Sequence, residues 1–146
     1  MNVAYTVGVA TTLLFGAQAS VLAQTVCTDA TIAGMYAAHG QGWDGLAAPF
    51  SPESVVGTRR FDGAGKFSGR GHQSIAGVPR TFTISGTYSV AADCTVTFVG
   101  TATSAAASTQ GHWFGVIADA GNKIYVARID KGETTNTEFD RIVPIY

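Results

Sequence analysis

A chain of 146 residues, 46% hydrophobic and 10% aromatic, is sized for one domain with a proper core. Charged residues make up only 13%, the formal net charge is -1, and Arg59-Arg60 is the one adjacent pair of cations, so no basic stripe exists for a phosphate backbone and nucleic acid is excluded as an expected partner. The 18 glycines favour short strands and tight turns over long helices.

The opening stretch, residues 1–24, has no charged side chain. It carries an apolar run from Val7 to Phe15 and small-residue cleavage patterns at Ala17-Gln18-Ala19 and Val21-Leu22-Ala23. This pattern predicts a signal peptide over residues 1–23 and a single mature domain over residues 24–146, delivered to the periplasm or secreted. The run is too short for a spanning helix of about 20 residues, so no stable membrane insertion is expected after cleavage. Export to an oxidising compartment makes Cys27 and Cys94, the only two cysteines, candidates for a disulfide. That bridge would close a loop of about 68 residues and stabilise the fold by on the order of 4 kcal/mol. Neither cysteine has a basic neighbour in sequence or a CxxC spacing, which argues against a catalytic thiol.

From Ile32 onward the chain divides into eight runs of strand length: IAGMYAAHG, SVVGTRRFD, KFSGRGHQSI, PRTFTISGTYSV, CTVTFVGTAT, TQGHWFGVIAD, KIYVARID and TNTEFDRIV. The links Asp62-Gly63-Ala64-Gly65, Ala91-Ala92-Asp93, Asp119-Ala120-Gly121-Asn122 and Asp130-Lys131-Gly132-Glu133 suit hairpins. Only Gln41–Pro52, with Trp43 and Phe50, is long enough to serve as a lid over a barrel mouth.

Alternation assigns faces within strands. Phe82, Ile84 and Tyr88 share one face opposite Thr81, Thr83, Ser85, Thr87 and Ser89. Phe67 and Ile75 share a face with Gly69 and Gly71, opposite Lys66, Ser68, Arg70, His72 and Ser74. Eight such strands in an open sheet leave two unprotected edges, and even hairpin spacing favours closure into a single eight-stranded antiparallel up-and-down barrel, with a β-sandwich as the alternative.

Cys27, the strand opener GMYAAHGQG, the pair FDGAGKFSGRG and the segment GTYSVAADCTVTF together make the chain resemble small secreted bacterial lipocalin-like barrels of the allene-oxide-cyclase type. The resemblance implies a calycin-like barrel with an apolar interior that binds, or cyclises and isomerises, small hydrophobic molecules. Its motifs are turn glycines, a cysteine and alternating strands, which carry fold and little chemistry.

No local signature calls for a metal or cofactor: GAGKFSG lacks the GxxxxGK[ST] spacing, and HExxH and GxSxG are absent. His39 shares a face with Met35 and Ala37, and His112 with Phe114 and Val116, so each is a candidate for an inward acid/base group, while His72 is expected outside. Arg59 alternates with Val55 and Phe61, and Arg128 with Ile124 and Val126, so both are expected inside. A buried arginine needs an anionic partner, either Glu138 or Asp140 from a neighbouring strand or a ligand carboxylate. Tyr36, Trp43, Tyr88, Trp113 and Tyr125 are candidate cavity-lining groups with polar handles, or simply core fillers.

Three functions follow from these residues. The first is an exported barrel, monomeric or weakly homo-oligomeric, that binds a small hydrophobic molecule with a polar or carboxylate end. The second is a cofactor-independent cyclase, isomerase or lyase in which His39 or His112 moves a proton and Arg59 or Arg128 stabilises an oxyanion. The third is a structural or surface-interaction protein with a filled barrel.

Overall fold

The computed structural model describes residues 26–45 and 49–142. The signal peptide expected over 1–23 and part of the expected lid, residues 46–48, lie outside the described residues. Eight strands form the fold: β1 (Gly34–Asp44), β2 (Ser51–Phe61), β3 (Lys66–Ile75), β4 (Val78–Val90), β5 (Thr95–Ser104), β6 (Ser108–Ala118), β7 (Lys123–Arg128) and β8 (Glu133–Arg141). Each pairs antiparallel with the next, and β8 returns to pair with β1, so the sheet closes into a barrel in chain order without a free edge. Both the strand count and the closure are those the hairpin spacing predicts. The long connection expected at Gln41–Pro52 is mostly strand, since Trp43 pairs with Pro52 and Asp44 with Ser51 in the β1–β2 ladder.

The two ends of the barrel differ. At one end, the floor, a 3₁₀ turn at Asp29–Ile32 crosses the opening and buries Ile32 completely. Tyr36 donates its hydroxyl to the carbonyl of Gly121, and Tyr88 donates to the carbonyl of Asp29 while accepting from the Gly63 N–H. Arg141 lies over the Tyr36 ring, 4.9 Å from its centroid, and donates to the carbonyls of Ala33, Thr31 and Gly121. The disulfide Cys27–Cys94, with Cα atoms 5.0 Å apart, fastens the segment preceding the 3₁₀ turn to the β4–β5 connection.

Above this floor the interior is filled by rings. Phe61 sits at the centre, its ring centroid 5.3 Å from those of Tyr36 and Tyr88, 5.8 Å from Phe98 and 6.0 Å from Phe67 and Phe139. An eight-stranded barrel is only just wide enough for side chains to fill it. Large rings therefore fit only where facing positions are small. Gly86 and Gly100 pair across β4 and β5, and a Cβ on either would come within 3 Å of the Phe67 ring.

Candidate functional site

The other end is the mouth, where β1–β2, β3–β4, β5–β6 and β7–β8 connect. Toward it the ring packing gives way to two cavities. The inner one is about 50 Å³ and is lined by Phe61, Phe98, Trp113 and Phe139 among other apolar groups, with Arg59 and Thr137 as polar members. The outer chamber is about 140 Å³ and brings together Asp44, Glu53, Arg80, Arg128 and Glu133 under the mouth loops, with Phe82 on its wall. Two larger hollows of about 590 and 600 Å³ lie on the outer wall and are open to solvent.

Arg59 and Arg128 face inward, as strand alternation predicts, but their surroundings differ. Arg128 is neutralised: its Nε donates to Asp130 at 2.8 Å, it pairs with Glu133, and its guanidinium lies 5.3 Å from the Trp113 ring centroid. Its partners come from the β7–β8 turn and the start of β8, not from Glu138 or Asp140, which point outward and pair with Lys123. Arg59 is 7% exposed, donates Nη1 to the main-chain carbonyl of Thr58 at 2.9 Å, and forms no ion pair among the described residues. Burial alone pulls its pKa down to about 10. Phe82 at 5.4 Å and Phe139 at 6.0 Å from the guanidinium carbon offer ring faces in place of a carboxylate. Arg59 and Trp113 line the inner cavity and Phe82 and Arg128 the outer chamber, so the Arg59–Phe82 and Arg128–Trp113 contacts run from one to the other.

Several expected site residues sit elsewhere. His39, Trp43, His112 and Tyr125 are exposed on the outer wall. β1 and β6 alternate as read, but the inward set is the opposite one, with Tyr36, Ala38, Gly40 and Gly42 in β1 and Gly111, Trp113, Gly115 and Ile117 in β6, while Tyr125 lies opposite the inward Ile124 and Val126 of β7. His39 lies near Glu138 and Asp140, at 3.8 and 4.0 Å, and His112 bonds Asp130 at 2.8 Å, so neither reaches the lumen. His72 is outside as expected. Tyr36 and Tyr88 are buried, but both hydroxyls are committed to the floor, away from the cavities; burial raises the pKa of each. Trp113 does line the inner cavity.

The residues missed from sequence are Asp44, Glu53 and Glu133. The available signal was parity: Glu53, Val55, Gly57 and Arg59 occupy alternate positions of one strand, so an inward Arg59 implies an inward Glu53. Asp44 stands directly opposite Glu133 in the β1–β8 ladder, and Glu53 accepts from the Thr135 hydroxyl at 3.0 Å. Burial raises the Glu133 carboxyl against the pull of Arg128, and Asp44 and Glu53 push it the same way. Among the described residues, no group of three His, Cys, Asp or Glu is placed to hold a metal ion.

The fold and these cavities define a floor-sealed, eight-stranded antiparallel barrel with a charged mouth and, among the described residues, one buried arginine without a carboxylate partner. No protein-family model, curated protein or solved structure matches the chain.

Proposed function

We propose that the protein is a small-molecule binding barrel that receives the anionic end of a compact ligand at Arg59, with the ligand body extending toward the mouth. The observation that carries this reading is Arg59 itself: a side chain 93% removed from water, lining a cavity and given no carboxylate partner among the described residues. A buried guanidinium in that state is under-compensated, and a carboxylate arriving with two oxygens satisfies its fork of donors. Cavity size sets the ligand class. A 150 Å³ apolar cavity accommodates benzene, so the inner cavity of about 50 Å³ holds a headgroup and only the outer chamber of about 140 Å³ has room for a body. The export expected from the opening stretch and the lipocalin-like resemblance of the sequence support the same use.

Calorimetric titration with a series of monocarboxylates from acetate to benzoate and hexanoate tests the proposal. Binding by at least one member, weakened in Arg59→Met by the 10- to 150-fold expected from about 1.5–3 kcal/mol for a hydrogen bond to a charged group, supports it. Equal affinity in wild type and Arg59→Met, or no binding across the series, overturns it.

A further inference from the structure

We infer that the ligand is amphoteric, with a cationic amine held among Asp44, Glu53 and Glu133 at the mouth and a carboxylate at Arg59. This rests on the Arg59 reading and deepens it. The barrel interior holds two sets of charge that are mismatched in opposite senses and do not neutralise one another. Below is a guanidinium with no ion pair among the described residues. Above are three carboxylates, of which Glu133 alone meets a cation, and that cation, Arg128, is shared with Asp130. The other cations at this end are Arg80, on the chamber lining, and Lys131 of the β7–β8 turn, both exposed and without an ion pair among the described residues.

Register explains why the two sets stay apart. Glu53 and Arg59 are six positions apart on β2. That is about 20 Å of strand at ~3.3 Å per residue, and about 10 Å remains once both side chains reach toward each other. The acidic set is also placed against its own stability, since Asp44 and Glu133 are direct cross-strand neighbours of like charge and face the same chamber. A simple anion bound at Arg59 would lie beneath these carboxylates and be repelled by them. A ligand carrying an ammonium about 8–10 Å from its carboxylate would relieve both mismatches at once.

Titration of the mature barrel with 6-aminohexanoate, hexanoate and hexylamine at pH 7 tests the inference. The expected result is 6-aminohexanoate binding at least 10-fold more tightly than hexanoate. Asp44→Asn/Glu53→Gln, which removes like-charge repulsion and is checked for folding by thermal melting, should erase that preference while strengthening hexanoate binding. Hexanoate binding as tightly as 6-aminohexanoate, or a preference that survives the double substitution, overturns the amphoteric assignment and leaves the Arg59 site standing. Hexylamine binding alone, insensitive to Arg59→Met, overturns the amphoteric assignment, as does the absence of binding by all three; the Arg59 site is then decided by the monocarboxylate series.

Discussion

The guanidinium carbon of Arg59 lies 5.4 Å from the ring centroid of Phe82, and this contact takes the place of an ion pair. Ring stacking recovers part of what burial costs, yet the pKa still falls to about 10. A base whose folded pKa lies below its unfolded value destabilises the fold at every pH below the folded value, and that cost disappears only as pH rises toward the unfolded value. Arg59→Met should therefore raise stability at pH 7 by about 1–3 kcal/mol, as replacement of a buried uncompensated charge by a hydrophobe does. The advantage should narrow above pH 10. Urea denaturation of both proteins at pH 7 and pH 11 measures it, and a destabilised Arg59→Met at pH 7 would show that Arg59 is satisfied after all.

Core geometry gives an independent test at Gly100. A Cβ there meets the Phe67 ring, which packs against Phe61 and Phe98, at 2.7 Å and the Ser85 carbonyl oxygen at 3.0 Å. Gly100→Ala should cost about 1–3 kcal/mol through overpacking. On the outward neighbour, Thr101→Ala should stay within about 0.5 kcal/mol. Adding Phe67→Leu to Gly100→Ala should recover part of the loss, a non-additivity that denaturation of the single and double variants reads directly.

These two sites also mark where sequence was readable. Strand alternation established the relative faces throughout and the absolute side wherever one face was polar, as for Phe82, Ile84 and Tyr88 against a row of Thr and Ser. In β1 and β6 both faces carry apolar residues, and several large ones point out: Phe114 and Val116 are about half exposed while Gly111 and Gly115 are buried. In a narrow barrel, interior room is claimed by rings from other strands, so the inward mark in these strands is glycine at alternate positions, as in Gly40 and Gly42. Weighing apolar content without volume put His39 and His112 on the wrong side. The mouth carboxylates were hidden for a related reason, since they lie at strand ends where turn composition looks like solvent-facing sequence.

Asp130 should govern acid sensitivity at the mouth. Burial works to raise its carboxyl, but hydrogen bonds from the His112 N–H and Arg128, each 2.8 Å, and from the His112 ring outweigh it and hold the pKa at about 2. A carboxylate with a folded pKa below its unfolded value adds stability above the unfolded value and loses it as pH falls toward 2. Asp130→Asn should accordingly be less stable than wild type at pH 7, with the two melting curves converging between pH 4 and about pH 2. A gap that persists undiminished at pH 2 would mean the loss comes from packing and not from charge.

The disulfide offers the last test because Cys94 combines two opposing effects. Bridging Cys27 over a sequence separation of 67 removes loop entropy from the unfolded chain worth on the order of 4 kcal/mol. Yet Cys94 itself holds φ at +66°, a left-handed conformation that costs a residue with a Cβ about 1–2 kcal/mol. Its backbone is fixed there by its N–H donating to Ala91 and its carbonyl accepting from Ile117, at 3.0 and 2.9 Å, so a substitution cannot relax out of it. Cys27→Ala/Cys94→Ala should lose several kcal/mol relative to the oxidised wild type, whereas Cys27→Ala/Cys94→Gly should lose about 1 kcal/mol less, since glycine carries no penalty at positive φ. Alkylation with and without reductant followed by mass measurement establishes the bridge in the wild type, and denaturation of the two double variants gives the ordering. The bridge sits at the floor and the charged chamber at the mouth, so both variants, while folded, should bind 6-aminohexanoate with the wild-type affinity. An alanine form as stable as the glycine form would show that the β4–β5 connection rearranges once the bridge is gone.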